Sequence, residues 1–439
     1  MGIAREDLVM ICCSDLSGQV RGKGVPARDL ERHRRFGVGW TPSNVMINAL
    51  GRIAATPFGA LGDLHLVPVD GTEVALDLGD DAPPLRWTLG RIRTLDGEPW
   101  ACCLRSLLER ALAALESRAG LRLVAAFEHE FHKASLPCRT HDAYGLGRLY
   151  GLQGFVGDLL GALRANGLGP ETFLPEYGPA QFEVTLEPAP ALVAADRAVN
   201  LREITRAVAR HHGTAVSFSP MVTPGFVGNG VHVHMSLADT EGRPVTYDPR
   251  APYGLSRTAG AFAAGILRHA RALSAVTAPS PVSYLRLRPH SWSAFFANLG
   301  ANDREALLRI CPYPLAADID PAPRFNLEYR GGDAASSPYL HLAMLVFAGL
   351  AGIVDDLPTP TVTTEDPDGL GALGRAAKGI ADLPRSLAEA LDALEADATA
   401  LAWLGPVLAE AYPMHKRAEL QMVAERSEDD LVTLYAEVY

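Results

Sequence analysis

Four short stretches carry side chains that could do chemistry. Gly228-Asn229-Gly230 leads into Val231-His232-Val233-His234-Met235-Ser236-Leu237, where histidines alternate with apolar residues. Successive strand side chains point to opposite faces, so His232 and His234 share one face and Val231, Val233 and Met235 the other. Residues 124–131 repeat the device, with Glu128 and Glu130 on one face. Glu176 and Glu183 flank a Gly178-Pro179 turn, and residues 325–330 alternate again, with Glu328 and Arg330 pointing the same way. Taken alone, H-x-H reads first as a half-buried strand whose histidines touch water. Carboxylates inside apolar strands, however, are costly to bury unless they are paired or bound to metal. Glu128, Glu130, Glu176, Glu183, Glu328 and His232 together suit a hard divalent cation, Mg2+ or Mn2+, and not a thiolate zinc site.

These residues need strands to hold them and helices to cover the strands. Leu8 to Cys13 reads as a strand, and Asp15 to Lys23 as a turn into a second one, opening a small β-rich N-terminal domain over residues 1–97. Pro83-Pro84 and Gly97-Glu98-Pro99 punctuate the approach to a larger domain over 98–439. In that domain the apolar spacing predicts helices over 106–119, closed by Gly120, over 196–212, closed by Gly213, and over 255–272. Residues 141–170 give only a weak helical or loop signal. Pro289 breaks the basic stretch 284–293 into a loop. Ser337-Pro338 starts an apolar helix over 339–354, and Ser386-Leu387-Ala388-Glu389 is a capping box. The Pro-, Thr-, Asp- and Gly-rich residues 358–382 are expected to form an exposed loop.

Bulk properties exclude some functions. At 439 residues the chain can bury a large core, and its 48% hydrophobic and 21% charged residues are those of an ordinary globular protein. A net charge of −11 argues against nonspecific nucleic-acid or anionic-membrane binding. No targeting leader opens the chain and no apolar run reaches membrane-spanning length, so a cytoplasmic protein is expected. The six cysteines, Cys12, Cys13, Cys102, Cys103, Cys138 and Cys311, show no C-x-x-C spacing and are expected to be buried free thiols.

Taken in order, the blocks resemble the glutamine synthetase superfamily over nearly the whole chain. The resemblance rests on Glu128/Glu130, Glu176/Glu183, Asn229 to Leu237, Arg286 to Pro289, Arg304/Arg309, and Glu328/Arg330 before Pro338-Tyr339-Leu340. It implies an α+β fold: a small N-terminal β-grasp-like domain and a large catalytic domain with a curved antiparallel sheet flanked by helices. It implies one cation held by Glu130, Glu176 and Glu183 and a second by Glu128, His232 and Glu328. Arg304 and Arg309 would hold the transferring phosphate, Arg286 and Arg330 the acid substrate near Gly228, and His234 and Ser236 would lie near ATP. The reaction implied is activation of a carboxylate as an acyl phosphate by ATP, followed by attack of an amine. The assembly implied is a homo-oligomer, a dodecamer of two stacked hexameric rings with sites between adjacent subunits.

Departures from the family pattern set the substrate question. Residues 358–382 hold no tyrosine, so the family's adenylylation there is not expected. A Val227-Gly228 pair stands where Asn-Gly is usual, which bears on contacts to the amino-acid part of the acid. Members that use ammonia place a glutamate on the flap after R-L-x-P and an aspartate in an N-terminal loop. Here the flap position is Trp292, and residues 43–50 show no Asp-Gly counterpart. Tryptophan offers apolar area and a π face, suited to an alkyl or aromatic amine. The expected enzyme therefore joins glutamate, or a similar acid, to an amine other than ammonia. The alternatives are an ammonia-using synthetase, with another acid such as Glu305 serving ammonium, and a noncatalytic structural or regulatory paralogue. Six retained metal-ligand positions argue against the last.

Overall fold

Alternating apolar residues build two sheets, which the computed structural model describes over residues 5–79, 83–134, 143–313 and 319–439. The first contains β1 (Leu8–Ser14), β2 (Val20–Pro26), β3 (Val38–Trp40), β4 (Leu64–Pro68), β5 (Val74–Leu76) and β6 (Leu85–Arg93). Its order is β2-β1-β6-β4-β3, with β5 also on β6. The β1–β2 turn is set by Asp15, whose Oδ1 accepts the N–H groups of Ser17 and Gln19 at 2.8 and 2.9 Å. This is the small N-terminal sheet domain expected from the sequence.

The second sheet is larger. It contains β7 (Leu121–Lys133), β8 (Pro170–Pro175), β9 (Gln181–Leu186), β10 (Ala189–Pro190), β11 (Val216–Ser217) and β12 (Val231–Asp239). Beyond the short ribbon strand β13 (Phe296–Ala297) it continues with β14 (Leu299–Ala301), β15 (Leu308–Ile310), β16 (Leu327–Tyr329) and β17 (Val362–Thr363). The order is β17-β14-β15-β16-β12-β7-β9-β8, with β10 and β11 also on β7. The sheet is antiparallel through its centre, but β14 runs parallel to both β15 and β17, so one edge departs from the antiparallel expectation. On one face Phe127, Phe182, Val184, Val231, Val233 and Met235 are all buried. The helices Leu104–Ala119 and Ala191–His211 pack there on β7, with Pro338–Val354 against both. The opposite face carries the polar residues.

The long helices lie where periodicity placed them. Gly120 closes the first with a left-handed φ of 66°, a conformation that favours glycine. Ser386 Oγ accepts the Glu389 N–H at 3.2 Å, the capping bond its spacing predicts. Three local readings change. The 255–272 helix is two, Arg257–Arg268 and Ala270–Thr277, broken at His269. Within 141–170 a full helix, Gln153–Ala165, buries Phe155, Leu159 and Leu163 at a spacing of four. Its glycines Gly154, Gly157 and Gly161 lower helix propensity but leave that apolar stripe intact. The 358–382 segment is not all loop, since it holds β17, the helix Gly371–Ala377 and the strand Ala381–Asp382, which pairs with β13. Cys12, Cys13, Cys102, Cys103 and Cys311 are free thiols, while Cys138 lies outside the described residues.

Candidate active site

Register brings the polar residues together. In β7 and β12, Glu128 sits opposite His232, and His234 opposite Ala126. In β7 and β9, Glu130 sits opposite Glu183. In β12 and β16, His234 sits opposite Glu328, which in turn faces Arg309 of β15. Directly opposed residues share a face, so these side chains converge from five adjacent strands. They line a cleft of about 440 Å³ together with Glu176, Gly228, Arg286, Trp292, Arg304 and Arg330. Of the residues singled out in the sequence, Ser236 is outside it. It lines a second cleft of about 450 Å³ behind Glu128 and His234, beside Thr185, Arg324 and Asn326.

The turn before β12 must be glycine. A Cβ on Gly228 would stand 2.2 Å from the Pro220 carbonyl oxygen and 2.8 Å from Arg286 Cγ. One on Gly230 would stand 2.9 Å from His232 Nε2. Removing both side chains lets the backbone approach Arg286 and the imidazole closely.

Hydrogen bonds fix the carboxylates. Glu130 Oε2 accepts from the Gly230 N–H at 2.9 Å and from Gln181 Nε2 at 3.0 Å. Gln181 Nε2 also donates to the Gly228 carbonyl and to Asn229 Oδ1, each at 3.0 Å. Gln181 was missed in the sequence, although it lies two residues before Glu183 on the same strand face. Glu128 lies between the histidines, with His232 Nδ1 at 3.2 Å and His234 Nε2 at 2.9 Å. His234 Nδ1 is 2.8 Å from Asn326 Oδ1. Glu328 is paired twice, with Arg309 Nη1 at 2.9 Å and with Arg330. Tyr144 and Tyr177 also line the cleft and carried no sequence signal, since each stands in a loop without periodicity. Tyr144 donates to Glu176 Oε2 at 3.2 Å.

The electrostatics separate the carboxylates into two kinds. Burial raises Glu128, but His234 and His232 outweigh it and hold the group well below the ordinary range. Glu328 is likewise raised by burial, yet Arg330 and the two histidines bring it down to about 2. Among the described residues Glu183 has no such partner: burial, then Glu128, Glu130, Glu176 and Glu328, push it up to about 10. Burial and then Glu176 push Glu130 up to about 7, against the Gly230 N–H and the charges of Arg286 and Arg330. Clustered carboxylates that cannot all ionise on their own are what a divalent cation resolves.

Donor geometry fits such a cation. Ligand atoms of Glu128, Glu183 and His232 lie within 4.8 Å of one another, as do those of Glu128, His234 and Glu328. These trios differ from the two sets implied by the resemblance, because the histidines draw Glu128 between them and the arginines hold Glu328. All six proposed ligands nevertheless line one cleft. Glu305 is not among its lining residues, and both its carboxylate oxygens accept backbone N–H groups of the flap.

The comparisons with known proteins are concordant. Residues 101–435 match the profile of the glutamine synthetase catalytic domain, and residues 3–100 that of the glutamine synthetase N-terminal domain. The chain is 36% identical over 438 residues to a gamma-glutamylpolyamine synthetase of Streptomyces coelicolor, covering 97% of this chain and 92% of that one. It is 30% identical over 421 residues to a glutamine synthetase of Thermococcus kodakarensis, covering 92% and 87%. A crystal structure described as a novel glutamine synthase homolog superposes with a TM-score of 0.91 at 41% identity, covering all of both chains. Apo GmaS superposes with a TM-score of 0.81 at 27% identity, over 96% of this chain and 95% of that one.

Proposed function

The chain belongs to the glutamine synthetase family, and from that premise we propose that it is an ATP-dependent carbon–nitrogen ligase acting on an amine other than ammonia. Its acid is glutamate or a similar carboxylate. A carboxylate oxygen of the acid attacks the terminal phosphorus of ATP and ADP leaves. The amine nitrogen then attacks the acyl carbon, phosphate departs, and the amine loses a proton. Dividing amide formation this way replaces one hard step with two easier ones.

The residues of the cleft supply binding and charge. Glu130, Glu176 and Glu183 would hold one Mg2+ or Mn2+, and Glu128, His232 and Glu328 a second. Such ions neutralise charge that develops on phosphoryl oxygens during in-line transfer. Arg304 and Arg309 would take the transferring phosphate, and Arg286 and Arg330 the acid, where a planar fork suits an oxyanion. Arg309 and Arg330 lie against Glu328, so they are already in the cleft and need only exchange partners. His234 lines both clefts and Ser236 the second, which suits a nucleotide entering from the second. As in the family, the active assembly is two stacked hexameric rings, and light scattering that found an active monomer would overturn that part.

The observation that carries the choice of amine is Trp292, an aromatic ring in the cleft wall, at the flap position where the family resemblance implies a carboxylate for ammonia use. The relation to a gamma-glutamylpolyamine synthetase supports the same choice. The test is phosphate release from ATP with a matrix of acids against amines, with chromatography of the spent nucleotide. We expect ADP and phosphate with glutamate and a primary alkylamine. AMP as the main product would refute the acyl phosphate, and ammonia as the best nucleophile would refute the amine reading.

A further inference from the structure

The loop after the Ser283–Arg286 helix is folded in an unusual way. His290 and Trp292 have φ of 56° and 55°, a left-handed conformation that is uncommon for residues other than glycine. Such backbone persists only where its surroundings fix it. Here the alternation turns two N–H groups toward one point, as in an anion-binding nest. Glu305 fills that point. Its Oε2 accepts from the His290 N–H at 3.1 Å and its Oε1 from the Trp292 N–H at 2.8 Å. The Glu305 N–H is itself held by Asp303 Oδ1 at 2.9 Å. From the other side Arg330 Nη2 donates to the Trp292 carbonyl at 3.4 Å. Both polar ends of Trp292 are thus tied while the residue stays 50% exposed.

The freed ring has a partner. Trp292 lies 6.5 Å, centroid to centroid, from Tyr177 at an interplanar angle of 31°. Tyr177 is 53% exposed and follows Glu176 directly in the β8–β9 turn, on a different element from the flap. Both rings line the cleft. Two aromatic faces from opposite elements, with Glu176 beside them, fit the CH2 groups and positive nitrogen of an alkylamine better than a bare ammonium ion.

We propose that Tyr177 and Trp292 form an aromatic gate that selects an alkylamine over ammonia, and that Glu305 is the positioning residue that folds the flap to hold Trp292 against Tyr177. This rests on the ligase reading above and extends it to two residues with no role in that reading. Glu305 touches no reactant and acts only through the flap.

The test is steady-state kinetics of the full chain with ATP, glutamate, Mg2+ and either a primary alkylamine or ammonia. Glu305→Ala and Tyr177→Ala are each expected to raise KM for the alkylamine by roughly 3–30-fold, the worth of a lost cation–π or stacking contact. KM for ATP and for glutamate should stay within about twofold. Because Glu305 acts through Trp292, adding Glu305→Ala to Trp292→Ala should raise the amine KM no further. Glu305→Gln, with one acceptor for two N–H groups, should recover part of the loss. Full additivity of the two alanine variants, or parallel rises in KM for ATP and glutamate, would overturn the positioning role. An unchanged amine KM in Tyr177→Ala would overturn the gate, even if Glu305→Ala failed to fold. Wild-type turnover with alkylamines would uphold the ligase reading in each of these cases. Absence of ATP turnover with every amine would instead refute that reading, and the gate with it.

Discussion

Acidification should loosen the floor of the active site, and His341 shows by how much. Its ring is buried beneath the cleft, edge-on to Tyr329 at 5.6 Å and to Phe127 at 6.3 Å. It packs so closely on Gly332 that a Cβ there would stand 2.1 Å from its Cε1. The Gly332 carbonyl in turn accepts from Arg286 Nη2 at 2.7 Å. Burial, and then the charge of Arg286, depress His341 from 6.5 to about 3. The sign follows from which state binds the proton first. Between the unfolded and folded values the unfolded chain is the more protonated, so stability is full above about 6.5 and is lost as pH falls toward 3. At pH 5 the group lies about 1.5 units inside that window, which at ~1.4 kcal/mol per unit makes about 2 kcal/mol. His415, buried and brought to about 3 by burial and then Lys416, contributes a similar loss. The assay is urea unfolding of wild type, His341→Gln and His415→Gln at pH 7 and pH 5. Each variant should lose less stability on acidification than wild type, by about 2 kcal/mol. A wild-type pH dependence retained in both would refute the reasoning.

Three other outcomes follow from the site and core. Mn2+ should raise the thermal midpoint of the wild type, and Glu130→Gln should abolish that shift and lower ligase activity by orders of magnitude. Wild-type-like turnover, or an unchanged Mn2+ shift in differential scanning fluorimetry, would contradict the metal assignment. Gly228→Ala should raise KM for the acid and destabilise the fold by about 1–3 kcal/mol, because its Cβ meets the Pro220 carbonyl oxygen at 2.2 Å. Urea midpoints and acid titrations read both effects. Leu159→Ala, at a fully buried position of the Gln153–Ala165 helix, should cost about 2–5 kcal/mol while leaving KM for ATP unchanged. A near-neutral value would mean that this helix is not packed as described.

The sequence carried the charged half of the site because strand alternation is a local rule. Glu128, Glu130, His232, His234 and Glu328 each declared their face by spacing alone, and pairing register then fixed their neighbours. What stayed hidden depends on contacts between distant segments. Gln181 holds Glu130 and Asn229 only because β9 lies beside β7, on the side opposite β12. Tyr177 meets Trp292 only because the 287–295 loop folds back over a turn more than a hundred residues earlier in the chain, a meeting no periodicity encodes. The Gln153–Ala165 helix was obscured by its own glycines, and the parallel edge by strands of two or three residues.

The opposed pairs across β9, β7, β12 and β16 also decide which changes the protein can survive. Deleting one residue between Gly228 and Val231 would turn His232 and His234 into the apolar face and deliver Val233 to the carboxylates. Two environments would fail together, so the strands are closed to insertion and deletion. Trp292 and Tyr177 hang from a loop and a turn outside that ladder, so exchanging either side chain leaves the strand pairing unchanged. On the gate proposed above, a lineage would change the nucleophile it accepts by exchanging these two side chains while the carboxylate ladder keeps its register, and descendants of one scaffold should differ first at the rim.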